Sequence, residues 1–338
     1  MPRRRPSDRS SITVSVLMRE DRVVTDTIHD DELDTSEVVV RSLLREQCPQ
    51  LADFPITPLV NSGTSNALWR VSGIGAAGPV DRVVRLPRTS GAASSMLNEL
   101  ALLPALATTT LAGLVELPAL LHRGEPTDSF PHRWAVTSWI DGEDAWTART
   151  DLDHTQHELA LDLAAAVTAI ASLEGLPAPI RRPGDRGGPL LPLLDRLDRW
   201  LADPQWSADD LIDTAAVRRC AAESAEVADE PGEIGFVHGD LIPGNILTVE
   251  GRLSAIIDWG GAGHGDLSQD LTPAWAILDA DSRSFFRRWL EVGDAAWLRA
   301  RAFALEQAVG GVLYYVPRGH QLGDVMARTL ARTLADVQ

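Results

Sequence analysis

The sequence predicts an α+β protein of two lobes, a small β-rich N-lobe and a larger, mainly helical C-lobe. Its 338 residues exceed what a single hydrophobic core usually fills, which favours two lobes over one. Strand-like segments are concentrated before residue 140, and segments with helical periodicity dominate after it. We therefore predict a disordered extension at 1–20, an N-lobe at 21–138 and a C-lobe at 139–338.

The composition is that of a soluble globular protein, with 44% hydrophobic and 23% charged residues. The formal net charge of -17 argues against non-specific nucleic-acid binding, because that binding needs basic groups to neutralise phosphates. The acidity favours a cationic small-molecule partner, although acidity also serves solubility alone. All 31 basic residues are arginines, and the chain contains no lysine.

Cysteine content and hydropathy point to a cytoplasmic protein. Cys48 and Cys220 have no metal-ligand spacing and cannot build a disulfide framework, which suits a reducing compartment. No run approaches the roughly 18 apolar residues that span a membrane. The basic start is followed by a segment too short and polar for a signal peptide, so either Met1 or Met18 is the native start. The oligomeric state is left open.

The N-lobe begins with a helical pattern at 33–47, followed by a strand, a polar turn and a second strand between Val60 and Val71. The small residues of the turn would let backbone N–H groups approach a phosphate. The alternative is an ordinary hairpin. The turn consists of Ser62, Gly63, Thr64, Ser65 and Asn66.

Three further elements complete the predicted N-lobe. A strand at Val80–Leu86 carries Arg85, and a helix at Gly91–Leu103, ending near Pro104, carries Glu99. In kinases, a cation on a strand pairs with a carboxylate on a helix and positions the nucleotide phosphates, which is one interpretation of Arg85 and Glu99. The other interpretation is that the two residues form a solvated surface pair. The strand at 133–140 includes Ser138 and Ile140 and suits a hinge whose backbone meets the nucleotide base.

Helices dominate the rest of the chain. Gly175 follows the first of them as a stop signal. The predicted helices are Gln156–Leu173, Leu190–Leu201 and Asp209–Val227, and then 269–280, 282–291, 294–316 and 321–336.

The central motif lies between these helices. The pattern H-x-D-x-x-x-x-N lies in the stretch from Phe236 to Leu247, and the pattern D-x-G follows it in Ile256–Gly260. This spacing matches the kinase catalytic loop, in which the aspartate accepts a hydroxyl proton and the asparagine holds Mg²⁺. A hairpin signal with Glu250-Gly251 at its turn separates the two halves, and would bring Asn245 and Asp258 to one metal ion.

These residues resemble the aminoglycoside phosphotransferase family, the small-molecule branch of the protein-kinase-like fold. The resemblance covers roughly Leu33 to the C-terminus and is strongest at Val237–Leu247, Ile256–Gly260 and Gly265–Leu271. In the last segment, Leu267 replaces the usual proline. The resemblance implies a β-rich N-lobe, a helical C-lobe, and ATP or GTP with Mg²⁺ in the cleft between them.

Residue by residue, the resemblance implies that Asp240 is the catalytic base and that Asn245 and Asp258 are the metal ligands. It implies that Ser62 to Asn66 is the nucleotide-positioning loop and that Thr137 to Ile140 is the hinge. The chain departs from the family at the third-strand lysine, where Arg85 stands. Either side chain can pair with Glu99 and polarise phosphates, although a guanidinium is a planar fork and an ammonium a point charge.

The predicted function is Mg²⁺-dependent transfer of the γ-phosphoryl group of a nucleoside triphosphate to a hydroxyl group of a small molecule. The acceptor is predicted to be an aminoglycoside or another antibiotic-like molecule, and the net negative charge of the chain suggests that it is cationic. The alternatives are a kinase of a primary metabolite such as choline, homoserine or a sugar, and a nucleotide-binding pseudokinase. A protein kinase is disfavoured because no A-P-E motif follows the D-x-G turn. Candidate acceptor-binding residues are Asp151, Asp153, Glu158 and Glu306.

Overall fold

The computed structural model describes residues 28–59, 64–147, 156–229 and 232–336. The predicted extension at 1–20 lies outside these ranges. The two predicted lobes are both present, since an antiparallel sheet with two helices is followed by a mainly helical region.

The N-lobe is built on a five-stranded antiparallel sheet in the strand order β1-β2-β3-β5-β4. Its buried face packs on α1 through residues such as Val40, Leu44 and Val84. The elements are α1 (Glu37–Gln47), β1 (Ile56–Pro58), β2 (Asn66–Gly75), β3 (Gly78–Pro87), α2 (Ser90–Leu106), β4 (Leu120–Gly124) and β5 (Trp134–Ser138).

Helix α2 runs past Pro104, whereas the sequence predicted an end near that residue. Proline lacks the N–H that would bond to the carbonyl of Leu100, so an ordinary helix would leave that carbonyl unpaired. Here the guanidinium of Arg123, from β4, donates to it instead. A partner from another element therefore supports the last turn of the helix.

The C-lobe carries the catalytic motif on short strands among helices. Strands β8 and β9 form the predicted hairpin, and β6 extends it into a three-stranded sheet, while β7 pairs with β10. The elements are β6 (Glu143–Asp144), α3 (Gln156–Ala171), α4 (Leu190–Ala202), α5 (Ala208–Leu211), α6 (Thr214–Ala225), β7 (Ile234–Val237), β8 (Ile246–Val249), β9 (Arg252–Ile256), β10 (Gly263–Asp266), α7 (Pro273–Ala276), α8 (Ala280–Trp289), α9 (Asp294–Tyr315) and α10 (Leu322–Leu334).

Two predicted helices are shorter or divided. The helix predicted at Asp209–Val227 is divided into α5 and α6, because the Asp213 side chain accepts a hydrogen bond from Ala216 N and so starts a new helix. The helix predicted at 269–280 is replaced by a 3₁₀ turn at Leu267–Leu271 and the single turn α7.

The C-lobe core surrounds the catalytic segment. One buried cluster includes Trp259 and Trp275 and packs α3 and α7 around the hairpin. A second packs α4 and α6 on α9 and α10, with Leu305 and Val309 at its centre. Among the described helices, none is long and apolar enough to cross a membrane.

Candidate active site

The catalytic motif lies where two cavities meet. The smaller cavity, of about 240 Å³, lies between the five-stranded sheet and the β8–β9 hairpin. The larger cavity, of about 590 Å³, lies beside α4, α9 and α10. Asn245 and Asp258 line both cavities, and Asp240 lines the larger one. Reactants bound in the two cavities would therefore meet at these three side chains.

A buried network holds the catalytic loop. Asp270 accepts hydrogen bonds from the backbone N–H groups of His238 (2.6 Å) and Gly239 (2.9 Å). His238 Nδ1 accepts from Asp240 N at 3.2 Å, which leaves Nε2 to donate to the Ile257 carbonyl at 3.2 Å. Burial lowers the pKa of His238 below its ordinary value, so the ring is neutral near pH 7. His238 therefore positions the loop.

Asp240 is oriented by side chains from separate segments of the chain. Its Oδ1 accepts hydrogen bonds from Gln307 Nε2 at 2.9 Å and from the guanidinium of Arg186. Asn245 Nδ2 donates to the Asp240 carbonyl at 2.8 Å and lies 3.4 Å from Oδ2. The Asp240 side chain remains 23% exposed, on the wall of the larger cavity. A carboxylate placed in this way can accept the proton of a bound hydroxyl group.

Arg85 connects β3, α2 and the D-x-G turn. Its NH1 lies 2.5 Å from Glu99 Oε1, and its NH2 lies 3.2 Å from Asp258 Oδ1. Burial alone would lower the pKa of the guanidinium, but the two carboxylates outweigh burial and raise it, so Arg85 stays cationic. Burial raises the pKa of Glu99, an effect that Arg85 opposes. The predicted pair of Arg85 and Glu99 is thus a buried contact and not a solvated surface pair.

Helix α2 is also fixed directly to the D-x-G turn. Glu99 Oε1 accepts a hydrogen bond from Trp259 N at 3.2 Å. Asn98 Nδ2 donates to the carbonyls of Gly260 (3.0 Å) and Ala262 (2.8 Å). The position of the helix carboxylate therefore depends on the same turn that carries Asp258.

Asn245 and Asp258 form a donor set that fits Mg²⁺. Because the Asn245 amide nitrogen is engaged with Asp240, the amide oxygen is the atom left to bind a cation. Asp258 has a left-handed backbone with φ of 63°, which is costly for a residue other than glycine and is typical of functional sites. Mg²⁺ commonly takes one or two protein oxygens and completes its shell with phosphate oxygens and water. In the described part of the chain no cluster of three or more His, Cys, Asp or Glu side chains forms a metal site.

The predicted nucleotide-positioning loop is only partly described. Ser62 and Gly63 lie outside the described residues, whereas Thr64 and Ser65 line the larger cavity. Asn66 lines the smaller cavity, and its buried Oδ1 has no hydrogen-bond partner among the described residues.

The predicted hinge residues lie together in the smaller cavity. Ser138 and Ile140 line it together with Arg85. The structure thus brings the predicted hinge residues, the Arg85 guanidinium and the metal-ligand candidates to one cavity.

The N-lobe also contacts α9 across the larger cavity. Thr64 Oγ1 and the Tyr315 hydroxyl form a hydrogen bond of 2.9 Å. The two ring nitrogens of His29 lie 2.8 Å from the Tyr314 hydroxyl and 3.2 Å from the Thr64 carbonyl. The loop predicted to position the nucleotide is therefore attached to the helix that carries Gln307.

The four candidate acceptor residues fall in different places. Asp151 and Asp153 lie outside the described residues. Glu158 is exposed in the first turn of α3 and is absent from the described lining of either cavity, so the structure does not bring it to the site. Glu306 is buried against the larger cavity, where it pairs with Arg196 at 2.6 Å.

Sequence reasoning missed two residues that contact Asp240. Arg186 lies in the loop before α4, and its neighbours in the sequence carry no specific signal. Gln307 follows Glu306 inside an otherwise apolar part of α9. Two adjacent polar residues in a buried helical stretch were a usable signal, because such groups need partners when they are buried.

The chain is similar to a curated protein and to solved structures. The chain is 32% identical to a hygromycin-B 4-O-kinase of Escherichia coli over 112 residues, which cover 30% of this chain and 33% of that enzyme. The chain thus matches about a third of the length of this relative.

Solved structures match over most of the chain. One is the GDP and kanamycin complex of APH(2")-IIia, with a TM-score of 0.67, 18% identity, and coverage of 89% of this chain and 99% of that chain. Another is the macrolide 2'-phosphotransferase MphH from Brachybacterium faecium, with a TM-score of 0.56, 19% identity, and coverage of 87% and 97%. At these identities the likeness shows the shared fold.

The family assignment rests on a longer match. The model of the phosphotransferase enzyme family, APH, matches residues 57–308, a range that runs from β1 to the middle of α9. This range includes the catalytic loop, the D-x-G turn, Arg85 and Glu99. The chain belongs to the phosphotransferase enzyme family.

Proposed function

We propose that this protein transfers the γ-phosphoryl group of a nucleoside triphosphate to a hydroxyl group of an antibiotic-like small molecule. One observation carries the proposal: Asn245 and Asp258 line the cavity that holds the hinge and also the cavity that holds Asp240. The nucleotide would occupy the smaller cavity and the acceptor the larger. The reacting groups would then meet at the catalytic loop.

In the proposed reaction, the acceptor oxygen forms a bond to the γ-phosphorus while the bond between that phosphorus and the β–γ bridging oxygen breaks. The hydroxyl proton goes to Asp240, and the bridging oxygen leaves with the nucleoside diphosphate. The transition state of such transfers is loose, so positioning and electrostatic stabilisation supply most of the rate. Gln307 and Asn245 orient the base for this step.

Arg85 and the metal-ligand candidates serve the nucleotide. Arg85, held by Glu99, would fix the phosphates that are not transferred. Asn245 and Asp258 would hold Mg²⁺, which supplies positive charge to the β- and γ-phosphates when it is bound. The presence of arginine in place of lysine is the feature that favours a pseudokinase. The contact of Arg85 with Glu99 corresponds to the strand–helix ion pair of active kinases and favours an active enzyme.

The acceptor is proposed from the relatives and from the larger cavity. The relatives are described with kanamycin, with hygromycin B and as a macrolide phosphotransferase. The described wall of the cavity carries the rings of Trp200 and Trp206 and the apolar side chains of Leu322 and Met326. Such a wall suits the bulky, partly apolar body of an antibiotic better than a small metabolite.

The charge of the acceptor remains a prediction. The described lining of the larger cavity contains three carboxylates, Asp240, Asp258 and Glu306, and two guanidinium groups, Arg186 and Arg196. Each of these carboxylates already has an arginine partner. The acidity of the whole chain is therefore not concentrated in the described wall, and a cationic acceptor draws its support from the relatives.

A nucleotide-consumption screen tests the proposal. Purified protein would be incubated with ATP or GTP and Mg²⁺ against kanamycin, gentamicin, hygromycin B, a macrolide, choline, homoserine and hexoses, and products would be identified by mass spectrometry. We expect a product heavier by one phosphoryl group from an antibiotic, lost when EDTA removes the metal. Asp240→Asn should lower kcat by at least ~10²-fold, since general-base assistance alone is worth about 10²–10⁴.

The matched control is Asp198→Asn, because Asp198 is exposed on α4 and lines neither cavity. It should turn over like the wild type. Turnover near the wild-type rate in Asp240→Asn would refute the assignment of the base. If a phosphorylated product forms only from a metabolite, the proposal of an antibiotic-like acceptor is wrong, while the proposed kinase reaction stands.

A further inference from the structure

The catalytic loop supplies no positive charge at the acceptor side of the site. The four residues between Asp240 and Asn245 are Leu241, Ile242, Pro243 and Gly244. Arg85 lies on the nucleotide side, where it is buried between Glu99 and Asp258. A phosphoryl group that moves away from the nucleotide moves away from this cation. A second cation at the acceptor end would add to the charge that Mg²⁺ supplies to the phosphates.

Arg186 is placed to do so. Its guanidinium donates to Oδ1 of Asp240, a residue that lines the larger cavity. The side chain comes from the loop before α4, lines the same cavity and is 44% exposed. Among the described residues, only Asp240 accepts a hydrogen bond from this guanidinium. The remaining N–H donors are therefore available to a bound reactant.

The second cavity arginine does not compete for this role. Arg196 lies 2.6 Å from Glu306 and also donates to the Gly184 carbonyl at 2.7 Å. These contacts hold Arg196 away from Asp240 and neutralise Glu306. Arg186, by contrast, touches the base itself. The two guanidinium groups of the larger cavity are thus distinguished by their partners.

A cation at this place would stabilise the transition state. A loose transition state spreads negative charge over the three equatorial oxygens of the transferring group, which passes next to the base. A guanidinium offers five donors in a planar fork, so one nitrogen can stay on Asp240 while others reach the phosphoryl oxygens. Building on the phosphotransfer proposed above, we propose that Arg186 is a catalytic residue that contacts the transferring phosphoryl group from the acceptor side.

Arg186→Ala and Arg186→Lys test this role, with Arg182→Ala as the matched control. Arg182 belongs to the same loop, and its side chain is exposed and lines neither cavity. We expect Arg186→Ala to lower kcat by about 10²–10⁴-fold, somewhat below the range of arginine fingers supplied by a partner protein. KM for ATP and for hygromycin B should change less than about threefold. Lysine should recover part of the rate, because it restores charge without the fork.

A transition-state mimic separates catalysis from simple positioning of the loop. Mg·ADP binding would be measured by calorimetry with and without aluminium fluoride, in the presence of hygromycin B. In the wild type and in Arg182→Ala, fluoride should tighten ADP binding at least tenfold. In Arg186→Ala this gain should disappear, while ADP binding without fluoride stays the same. Because 44% of the Arg186 side chain is exposed, the midpoint of thermal unfolding should fall only slightly in the variant.

Three results would overturn the inference. The first is an equal gain from fluoride in Arg186→Ala and the wild type. The second is a loss confined to the KM of the acceptor, which would make Arg186 a binding residue only. The third is a wild type that neither binds ADP nor consumes nucleotide, which would overturn the proposed function as well. The first two results leave the phosphotransferase reaction standing, so they distinguish a failure of the Arg186 role from a failure of the proposed function.

Discussion

Gly239, between His238 and the proposed base Asp240, offers a quantitative test of how tightly the candidate active site is packed. Its backbone has φ of +81°, and a Cβ added there would lie 2.5 Å from the Gly261 carbonyl oxygen. Gly261 follows the D-x-G turn that carries Asp258. A methyl group at Gly239 would therefore push the catalytic loop away from the segment of the metal-ligand candidate.

Gly175 provides the matched control, because its φ is +68° and an added Cβ would meet no atom within 4 Å. Both alanine variants pay about 1–2 kcal/mol for a left-handed backbone. Alanine also lowers the conformational entropy of the unfolded chain, which offsets about 0.4–1 kcal/mol of this cost. Gly175→Ala should therefore lose about 1 kcal/mol of unfolding free energy. Gly239→Ala should lose about 2–4 kcal/mol, since overpacking adds about 1–3 kcal/mol.

The two variants should differ even more in activity. A displacement of about 1 Å at a reacting group can cost roughly 10²-fold in rate. We expect Gly239→Ala to lose that much in kcat and Gly175→Ala to keep the wild-type value. Urea unfolding gives the stabilities, and the nucleotide-consumption assay gives kcat. Equal stability losses in the two variants, or full activity in Gly239→Ala, would refute the close contact between the two loops.

Two further predictions concern the residues around this loop. In a double-mutant cycle, Arg85→Ala combined with Glu99→Ala should lower kcat/KM little more than the worse single variant does, because the two side chains act as one contact. Losses of transition-state free energy that simply add would show that the two residues are uncoupled. Burial raises the pKa of Asp270 from 3.8 to about 6, so kcat should fall as the pH falls through about 6 and the carboxylate is protonated. The unfolding free energy should rise as the pH falls from about 6 to about 4, because the native state binds this proton more tightly than the unfolded chain does. Asp270→Asn should lower kcat and abolish that acidic limb, and an unchanged pH profile would contradict the assignment.

The catalytic hairpin was predictable because its signals are local. Glu250 and Gly251 take φ values of 51° and 77°, which is the two-residue turn that joins β8 to β9. The hairpin then fixes the relation of Asn245 to Asp258, and both residues line the same two cavities, while their binding of one metal ion stays a prediction. Spacing along the chain was enough here, since the turn and both strands lie within a few residues of one another.

Helix ends were less predictable, because partners distant in the sequence decide some of them. Pro104 predicted the end of α2, but Arg123, 23 residues beyond Leu100, takes over the carbonyl that proline leaves unpaired. Asp213 divided a predicted helix through a local cap, which composition alone did not reveal among several acidic residues. The first case needed tertiary structure and the second needed backbone geometry.

The partners of the proposed base, Asp240, were not predicted from the sequence. Arg186 and Gln307 reach Asp240 from 54 and 67 positions away. Their approach depends on how the loop before α4 and helix α9 pack on the catalytic loop, and no periodic pattern encodes that packing. The sequence therefore predicted a candidate base and candidate metal ligands, but not the side chains that contact Asp240.

The arginine at position 85 has a practical consequence for chemical labelling. Reagents that identify nucleotide-binding enzymes by acylating an amine near the phosphates need a side chain that can lose a proton and act as a nucleophile. A guanidinium stays protonated under ordinary conditions and therefore does neither. Because the chain has no lysine at all, such reagents would find only the α-amino group at the N-terminus. Surveys of nucleotide-binding enzymes by amine acylation would therefore overlook this protein, however well it binds nucleotide.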